Sequence, residues 1–92
     1  MSLSQQIAAH FGMVRQKCPL VLHLTNVVTI NDCANAVLAV GATPNMTSCV
    51  REAADMARQA KAVVLNIGTP DEFSEAAMLA AGRAANACGI PV

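Results

Sequence analysis

Residues 19–46 read PLVLHLTNVVTINDCANAVLAVGATPNM, and they contain the clearest signals of secondary structure in the chain. The almost continuous apolar run Leu20–Leu24 is typical of a buried strand. Residues 33–40 carry apolar side chains at helical spacing, and Gly41 follows where glycine commonly ends a helix. Residues 42–46 then predict a second strand. A strand, a helix and a strand in this order predict a βαβ unit with parallel strands.

Two local signals refine this unit. Pro44 has no amide hydrogen, so the second strand is expected at an edge of the sheet or at a bulge. Thr29 precedes the helix and Asp32 stands three residues later, which predicts a capping arrangement at the start of the helix.

The sequence on either side continues the alternation of helices and strands. Residues 3–16 predict a helix, because their apolar side chains recur at helical spacing. Residues 52–60 predict another helix, capped by the hydroxyl of Thr47 or Ser48. Residues 62–65, which read AVVL, predict a buried strand.

The last helix has the clearest start signal. Thr69 is expected to cap it, Pro70 to occupy its first position, and the acidic Asp71 and Glu72 to favour its positive end. The helix is expected to continue to Gly89, in the position that favours a helix end.

Strands that alternate with helices of ten or more residues indicate an α/β fold with a parallel sheet. Right-handed crossovers are expected to place helices on both faces of that sheet. Residues 90–92 resemble the start of a further strand. The sheet is therefore expected to be incomplete within residues 1–92, which form part of a single domain.

The composition excludes several classes of protein. The 92 residues are 54% hydrophobic and 13% charged, which argues against intrinsic disorder. Six basic and six acidic side chains cancel and only 2% of residues are aromatic, so no nucleic-acid partner is expected. No apolar run reaches the roughly 20 residues of a membrane span, and no signal peptide is expected.

The four cysteines stand in no metal-like or redox-like spacing with one another or with the two histidines. Because no secretory signal is recognised, we expect reduced thiols and a cytoplasmic location. The four are Cys18, Cys33, Cys49 and Cys88.

Three polar segments, residues 25–29, 44–47 and 66–69, follow the predicted strands. The carboxyl ends of parallel strands meet at one edge of a sheet, where ligands commonly bind. Asn26 and Asn66 each follow a strand directly and offer both a donor and an acceptor. Each is also a common turn former, so the pattern alone predicts a small-molecule site without excluding a structural role.

Other residues near this edge carry a similar ambiguity. Gly68 permits close approach of a ligand, and the helix expected to begin at Thr69 favours an anion, yet a loop and a cap explain both. Met46 suits either a core or an apolar heterocycle. We interpret Asp71 as a helix-dipole acid rather than a metal ligand, and His23 as a satisfied core histidine.

The order of these segments resembles one enzyme family. PLVLHLTNVVTINDCANAVLAVGATPNM, followed by AVVLNIGT and a helix that ends in GIPV, is similar to the N-terminal part of hydroxyethylthiazole kinase. The resemblance implies a ribokinase-like three-layer α/β sandwich. It also implies transfer of the ATP γ-phosphoryl group to the primary alcohol of 4-methyl-5-(2-hydroxyethyl)thiazole with Mg²⁺, by homotrimers with active sites between subunits.

The resemblance places substrate-binding roles on five residues of this chain. The thiazole-pocket methionine of the family corresponds to Met46, and its Thr-Asn loop corresponds to Thr25, Asn26 and Val28. Gly68 corresponds to a turn beside the pocket. The aspartate that helps to hold Mg²⁺, the ATP-contacting residues and the nucleophile-activating cysteine all come later in the family. The 92 residues alone are therefore expected to catalyse nothing.

Two residues depart from the family pattern. His23 is offset by one position from the family's usual histidine, which turns it to the opposite face of the strand, so it receives no role from the resemblance. Asn45 stands where the family often has an apolar residue. Two alternatives stay open: a ribokinase-like kinase for another small alcohol, and a non-catalytic small oligomeric module.

Overall fold

The computed structural model describes all 92 residues, in which four helices alternate with three strands. This arrangement confirms the α/β fold and the predicted order of elements. The elements in chain order are α1 Leu3–Lys17, β1 Leu20–Leu24, α2 Ile30–Ala39, β2 Thr43–Met46, α3 Val50–Gln59, β3 Ala62–Leu65 and α4 Glu72–Ala87.

The three strands form one parallel sheet in the order β2-β1-β3, so β1 lies in the centre. Leu22 stands opposite Asn45 on one side and Val63 on the other. Pro44 lies on an edge strand of this sheet, as its missing amide hydrogen predicts. At the open edge of β3, the Val63 amide donates to the Pro91 carbonyl at 2.9 Å. The chain thus returns to the sheet edge at the predicted start of a further strand.

The hydrophobic core lies between the sheet and the helix pair α3–α4. Leu22 and Leu24 of β1 are fully buried there, beside Val63 of β3. The helices approach closely because their inward residues are small. The alanines buried in this core are Ala53, Ala57, Ala60, Ala77, Ala81, Ala84 and Ala85. The stability of this fold therefore rests on one face of the sheet.

The other face is more open. The right-handed connection rule places α2 on the face opposite α3 and α4. Neither α1 nor α2 contributes a buried residue. Ile7, Phe11 and Leu38 each leave about half of their surface exposed. Much of the apolar surface of α1 and α2 therefore faces solvent in this chain.

The connection from α2 to β2 explains one glycine. Gly41 adopts a φ of 96°, which confirms the predicted helix end. A Cβ atom at this position would lie 2.7 Å from the Cγ atom of Arg15. The Arg15 guanidinium also donates to the Ala39 carbonyl at 3.4 Å. The turn thus brings the end of α1 against the end of α2.

The predicted caps of α2 and α3 are wrong. Thr29 occupies the N-cap position of α2, but its side chain caps no amide, because its hydroxyl bonds to Thr25 and Asn26. α3 begins after Cys49 without a side-chain cap. The Thr47 hydroxyl instead accepts from the Cys49 amide at 3.1 Å and bonds to a Glu52 carboxylate oxygen at 2.7 Å.

The predicted start of α4 is also wrong by two residues. Thr69 has a left-handed backbone with a φ of 49°, which is incompatible with the extended geometry of an N-cap. Asp71 caps the helix instead, because its Oδ1 accepts from the Ser74 amide at 2.7 Å. The Ser74 hydroxyl accepts from the Asp71 amide at 2.9 Å and completes a capping box.

Candidate functional site

The carboxyl ends of the three strands meet at one edge of the sheet, here called the carboxyl rim. Thr25 and Asn26 follow β1, Met46 ends β2, and Asn66 and Gly68 follow β3. The Asn66 amide donates to the Leu24 carbonyl at 2.9 Å, which extends the pairing of β1 and β3 by one residue. Parallel pairing therefore brings together residues that are more than forty positions apart in the chain.

Two clefts open at the carboxyl rim. The α4 cleft, of about 240 Å³, lies against the start of α4, and the α3 cleft, of about 310 Å³, lies against the start of α3. Thr25, Asn26, Val27 and Ser48 line both clefts and so form the wall between them. Each cleft is near the lower end of the size range for small-molecule sites.

The structure brings four of the five predicted binding residues to these clefts. Thr25 and Asn26 line both of them, Met46 lines the α3 cleft, and Gly68 lines the α4 cleft. Val28 lines neither cleft and is 77% exposed. Their roles toward a ligand stay predictions.

Sequence reasoning missed several residues that line the clefts, including Ser48, Phe73 and Met78. Ser48 lies in the wall between the clefts, although it was interpreted as a possible helix cap. Phe73 and Met78 of α4 add apolar surface to the α4 cleft. The position of Ser48 after a strand could have indicated the rim. Phe73 and Met78 stand five residues apart, a spacing that does not place two side chains on one helix face, so the sequence gives no signal for their shared cleft.

Both rim asparagines form local turns. Asn26 Oδ1 accepts from the amides of Val28 and Thr29 at 3.0 and 3.1 Å. Asn66 Oδ1 accepts from the Gly68 amide at 2.9 Å. Both asparagines therefore stabilise turns, as is common for this residue type, independently of any ligand that the rim binds.

Gly68 is needed for the close approach of these turns. A Cβ atom at this position would lie 3.2 Å from Asn66 Oδ1 and 3.6 Å from Asn26 Nδ2. A Cβ atom would therefore crowd the Asn66 amide group and make an ordinary van der Waals contact with that of Asn26. The close approach that glycine permits here is between parts of the chain itself.

The start of α4 carries a negative charge toward the rim. Hydrogen bonding from the Ser74 backbone holds the pKa of the Asp71 carboxyl below its usual range. The carboxylate accepts a hydrogen bond from the Ser74 amide. The N-cap of the helix is therefore Asp71, two residues after Thr69. The helix start expected at Thr69, on which a preference for an anion depended, is therefore wrong.

The side chains of this chain form no preassembled set of metal ligands. No three His, Cys, Asp or Glu side chains come together. Asp71 lines the α4 cleft and Glu52 lines the α3 cleft, and each already bonds to a neighbouring group of its own loop or helix.

Comparison with known proteins gives this rim a family context. Residues 11–92 match the hydroxyethylthiazole kinase family. The chain belongs to the hydroxyethylthiazole kinase family. A hydroxyethylthiazole kinase from Clostridium beijerinckii is 47% identical over 90 residues, which cover 98% of this chain and 33% of that protein. One from Moorella thermoacetica is 50% identical over 92 residues, which cover all of this chain and 34% of that protein.

A solved structure of this kinase family has the same fold. The hydroxyethylthiazole kinase protein from Pyrococcus horikoshii OT3 superposes with a TM-score of 0.90 at 42% identity, over 95% of this chain and 34% of that one. The chain thus spans about a third of the length of the relatives it matches. None of its four helices combines the length and apolar character needed to cross a bilayer.

His23 is the one buried polar residue in this kinase-family segment. It lies on the sheet face opposite the core, beside Met46 and Val64 in register, and is 7% exposed. Neither imidazole nitrogen has a hydrogen-bond partner. The prediction of a buried histidine is confirmed, but the prediction that it is satisfied is wrong. Burial lowers its pKa, because desolvation penalises the charged imidazolium.

Replacing His23 with leucine is expected to stabilise the chain by about 1 kcal/mol at pH 7.5, because an unpaired buried polar group is removed. The gain should grow as the pH falls. Below the ordinary histidine pKa of about 6.5 the unfolded chain takes up a proton that folded His23 resists, so the wild type loses stability. Thermal unfolding of both proteins at pH 7.5 and 5.5 measures the difference.

The second histidine supplies the control. His10→Leu removes an exposed imidazole from α1 and should not reproduce the growing gain. Equal effects of pH on the wild type and on His23→Leu would contradict the interpretation of His23 as a buried, unpaired group.

Proposed function

We propose that this chain is the thiazole-binding N-terminal segment of a hydroxyethylthiazole kinase. The proposed reaction transfers the γ-phosphoryl group of ATP to the primary alcohol of 4-methyl-5-(2-hydroxyethyl)thiazole. The observation that carries the proposal is the carboxyl rim, where Thr25, Asn26, Met46 and Gly68 surround two adjoining clefts in a member of this family.

The contacts at the rim limit what each residue can offer to a thiazole. Asn26 Oδ1 already accepts from two amides and from the Thr29 hydroxyl, at 3.2 Å for the last. Asn26 therefore serves the ligand through its Nδ2 group, whose two hydrogens include one bonded to Gly68. Met46 supplies an apolar wall, for which a polarisable thioether suits a sulfur heterocycle.

Val28 takes its proposed role through a neighbouring subunit. Its side chain is 77% exposed and lies outside both clefts, so within one chain it encloses nothing. In the proposed homotrimer, sites lie between subunits, and an exposed valine at the rim would form part of a shared wall. Exposed Val27 beside it, which lines both clefts, fits the same arrangement.

The segment binds and orients the substrate, and the phosphoryl-transfer groups lie elsewhere in the proposed kinase. Phosphoryl transfer depends on positioning and on electrostatic stabilisation of the transferred group. ATP as co-substrate and Mg²⁺ belong to the proposed reaction, yet these 92 residues bring no set of metal ligands together. The proposed cellular location of the kinase is the cytoplasm.

The reaction itself tests the proposal. A protein of the relatives' length that contains this segment should form thiazole phosphate from 4-methyl-5-(2-hydroxyethyl)thiazole and ATP, measured by chromatography of the products. The 92-residue chain should form none in a single-turnover assay. A clear preference for another small alcohol in a substrate panel would favour a different ribokinase-like kinase. Turnover by the 92 residues alone would overturn the division of roles.

A further inference from the structure

A closed ring of hydrogen bonds joins the loop after β1 to the loop after β3. Asn66 Nδ2 donates to Thr25 Oγ1 at 3.0 Å, and Thr25 Oγ1 lies 2.7 Å from Thr29 Oγ1. Thr29 Oγ1 donates to Asn26 Oδ1 at 3.2 Å. Asn26 Nδ2 donates to the Gly68 carbonyl at 3.2 Å, and the Gly68 amide donates to Asn66 Oδ1 at 2.9 Å, which closes the ring. We call these five residues the rim ring.

Counting protons gives the rim ring a single direction. Each threonine hydroxyl has one proton to donate. Because Thr29 uses its proton toward Asn26, the proton between the two threonines comes from Thr25. Thr25 then accepts from Asn66, as observed. Every member therefore donates to the next one, an arrangement in which hydrogen bonds polarise and strengthen each other.

The ring also determines which hydrogen-bond donors and acceptors remain free to bind a ligand. The hydroxyl protons of Thr25 and Thr29 and the amide proton of Gly68 are all used within it. One Nδ2 hydrogen of Asn26 and one lone pair of Thr25 Oγ1 are left at the clefts that both residues line. The rim thus presents a donor beside an acceptor, which suits a ligand bearing an alcohol or a heterocyclic nitrogen.

We propose that Asn66 is a positioning residue that sets the Asn26 amide for the substrate through the rim ring. This proposal rests on the proposed function for its ligand. Asn66 is the one side chain of the β3 loop in the ring, and it holds the hydroxyl of Thr25 and the amide of Gly68 at the same time. It makes no hydrogen bond to Asn26 itself, so its effect on Asn26 is transmitted through the other members of the rim ring.

An isosteric substitution separates the two functions of Asn66. Asn66→Asp keeps an acceptor for the Gly68 amide but removes the donor to Thr25, so the ring opens at one link. In the ¹⁵N-labelled 92-residue chain, the Asn26 side-chain NH₂ signals should shift and exchange faster, while the Gly68 amide stays protected. Titration with 4-methyl-5-(2-hydroxyethyl)thiazole should show about fivefold weaker binding, as expected for one lost hydrogen bond.

Asn31→Asp is the matched control, because it makes the same change on the exposed first turn of α2, outside the ring. It should leave the Asn26 side-chain signals and the thiazole affinity unchanged. Unchanged Asn26 signals in a folded Asn66→Asp chain would overturn the positioning role. In that case Asn66→Ala, which removes both hydrogen bonds of the Asn66 side chain, should also leave the Asn26 side-chain signals unchanged. If the wild-type chain binds no thiazole, the proposed function fails, and the ring is still judged by the ligand-free signals.

Discussion

Leu22→Ala should lower the free energy of unfolding by about 2–5 kcal/mol, the range for removing a buried leucine side chain from a core. Leu22 is completely buried in the central strand, within the cluster formed by β1, β3, α3 and α4. Its core neighbours are largely alanines, whose methyl side chains are too short to fill the cavity that the substitution leaves. A domain is typically stable by only about 5–15 kcal/mol, so the variant should be close to unfolding.

Leu38→Ala makes the same chemical change on α2, where the leucine is 57% exposed. Chemical denaturation of both variants should show a large loss for Leu22→Ala and a change within about 0.5 kcal/mol for Leu38→Ala. Similar losses in the two variants would contradict a core that lies between the sheet and the helix pair α3–α4.

Met46→Ala should raise the KM for the thiazole alcohol about tenfold in the proposed kinase, which corresponds to about 1.4 kcal/mol of lost apolar contact. Met46 ends β2 and lines the α3 cleft beside Thr25 and Asn26. Such a wall contacts the heterocycle equally in the ground state and in the transition state. kcat should therefore change much less than KM.

Met13→Ala is the control for this substitution, because Met13 is a half-exposed methionine on α1 that lines neither cleft. It should leave both kinetic constants as they are in the wild type. An unchanged KM in Met46→Ala, or a loss confined to kcat, would reject the role of Met46 as a wall of the thiazole site.

The order of helices and strands could be predicted because its signals are local. The apolar run of β1, the glycine after α2 and the proline in β2 each act within a few residues, and the structure confirms all three. The positions of Thr25, Asn26, Met46 and Gly68 at one rim follow from parallel strands alone. Family resemblance added their proposed ligand, which residue types do not specify.

The errors arise at polar side chains whose hydrogen bonds depend on the exact backbone conformation of the loops and on what packs around them. Thr29 was predicted to cap α2, but its hydroxyl bonds within the rim ring. Thr69 was predicted to cap α4, but its left-handed backbone leaves that role to Asp71. His23 was predicted to be satisfied, yet no group on the neighbouring strands or helices reaches its nitrogens. Residue spacing alone does not fix the loop conformation or the packing that decides which hydrogen bonds a polar side chain forms.

A titration of the ¹⁵N-labelled chain with 4-methyl-5-(2-hydroxyethyl)thiazole, followed by amide chemical shifts, would decide whether the carboxyl rim binds this alcohol. We expect saturable shifts at Thr25, Asn26, Met46 and Gly68, with little change along α1. A folded chain whose rim amides do not respond, or whose shifts are confined to α1 and α2, would contradict the proposed thiazole site.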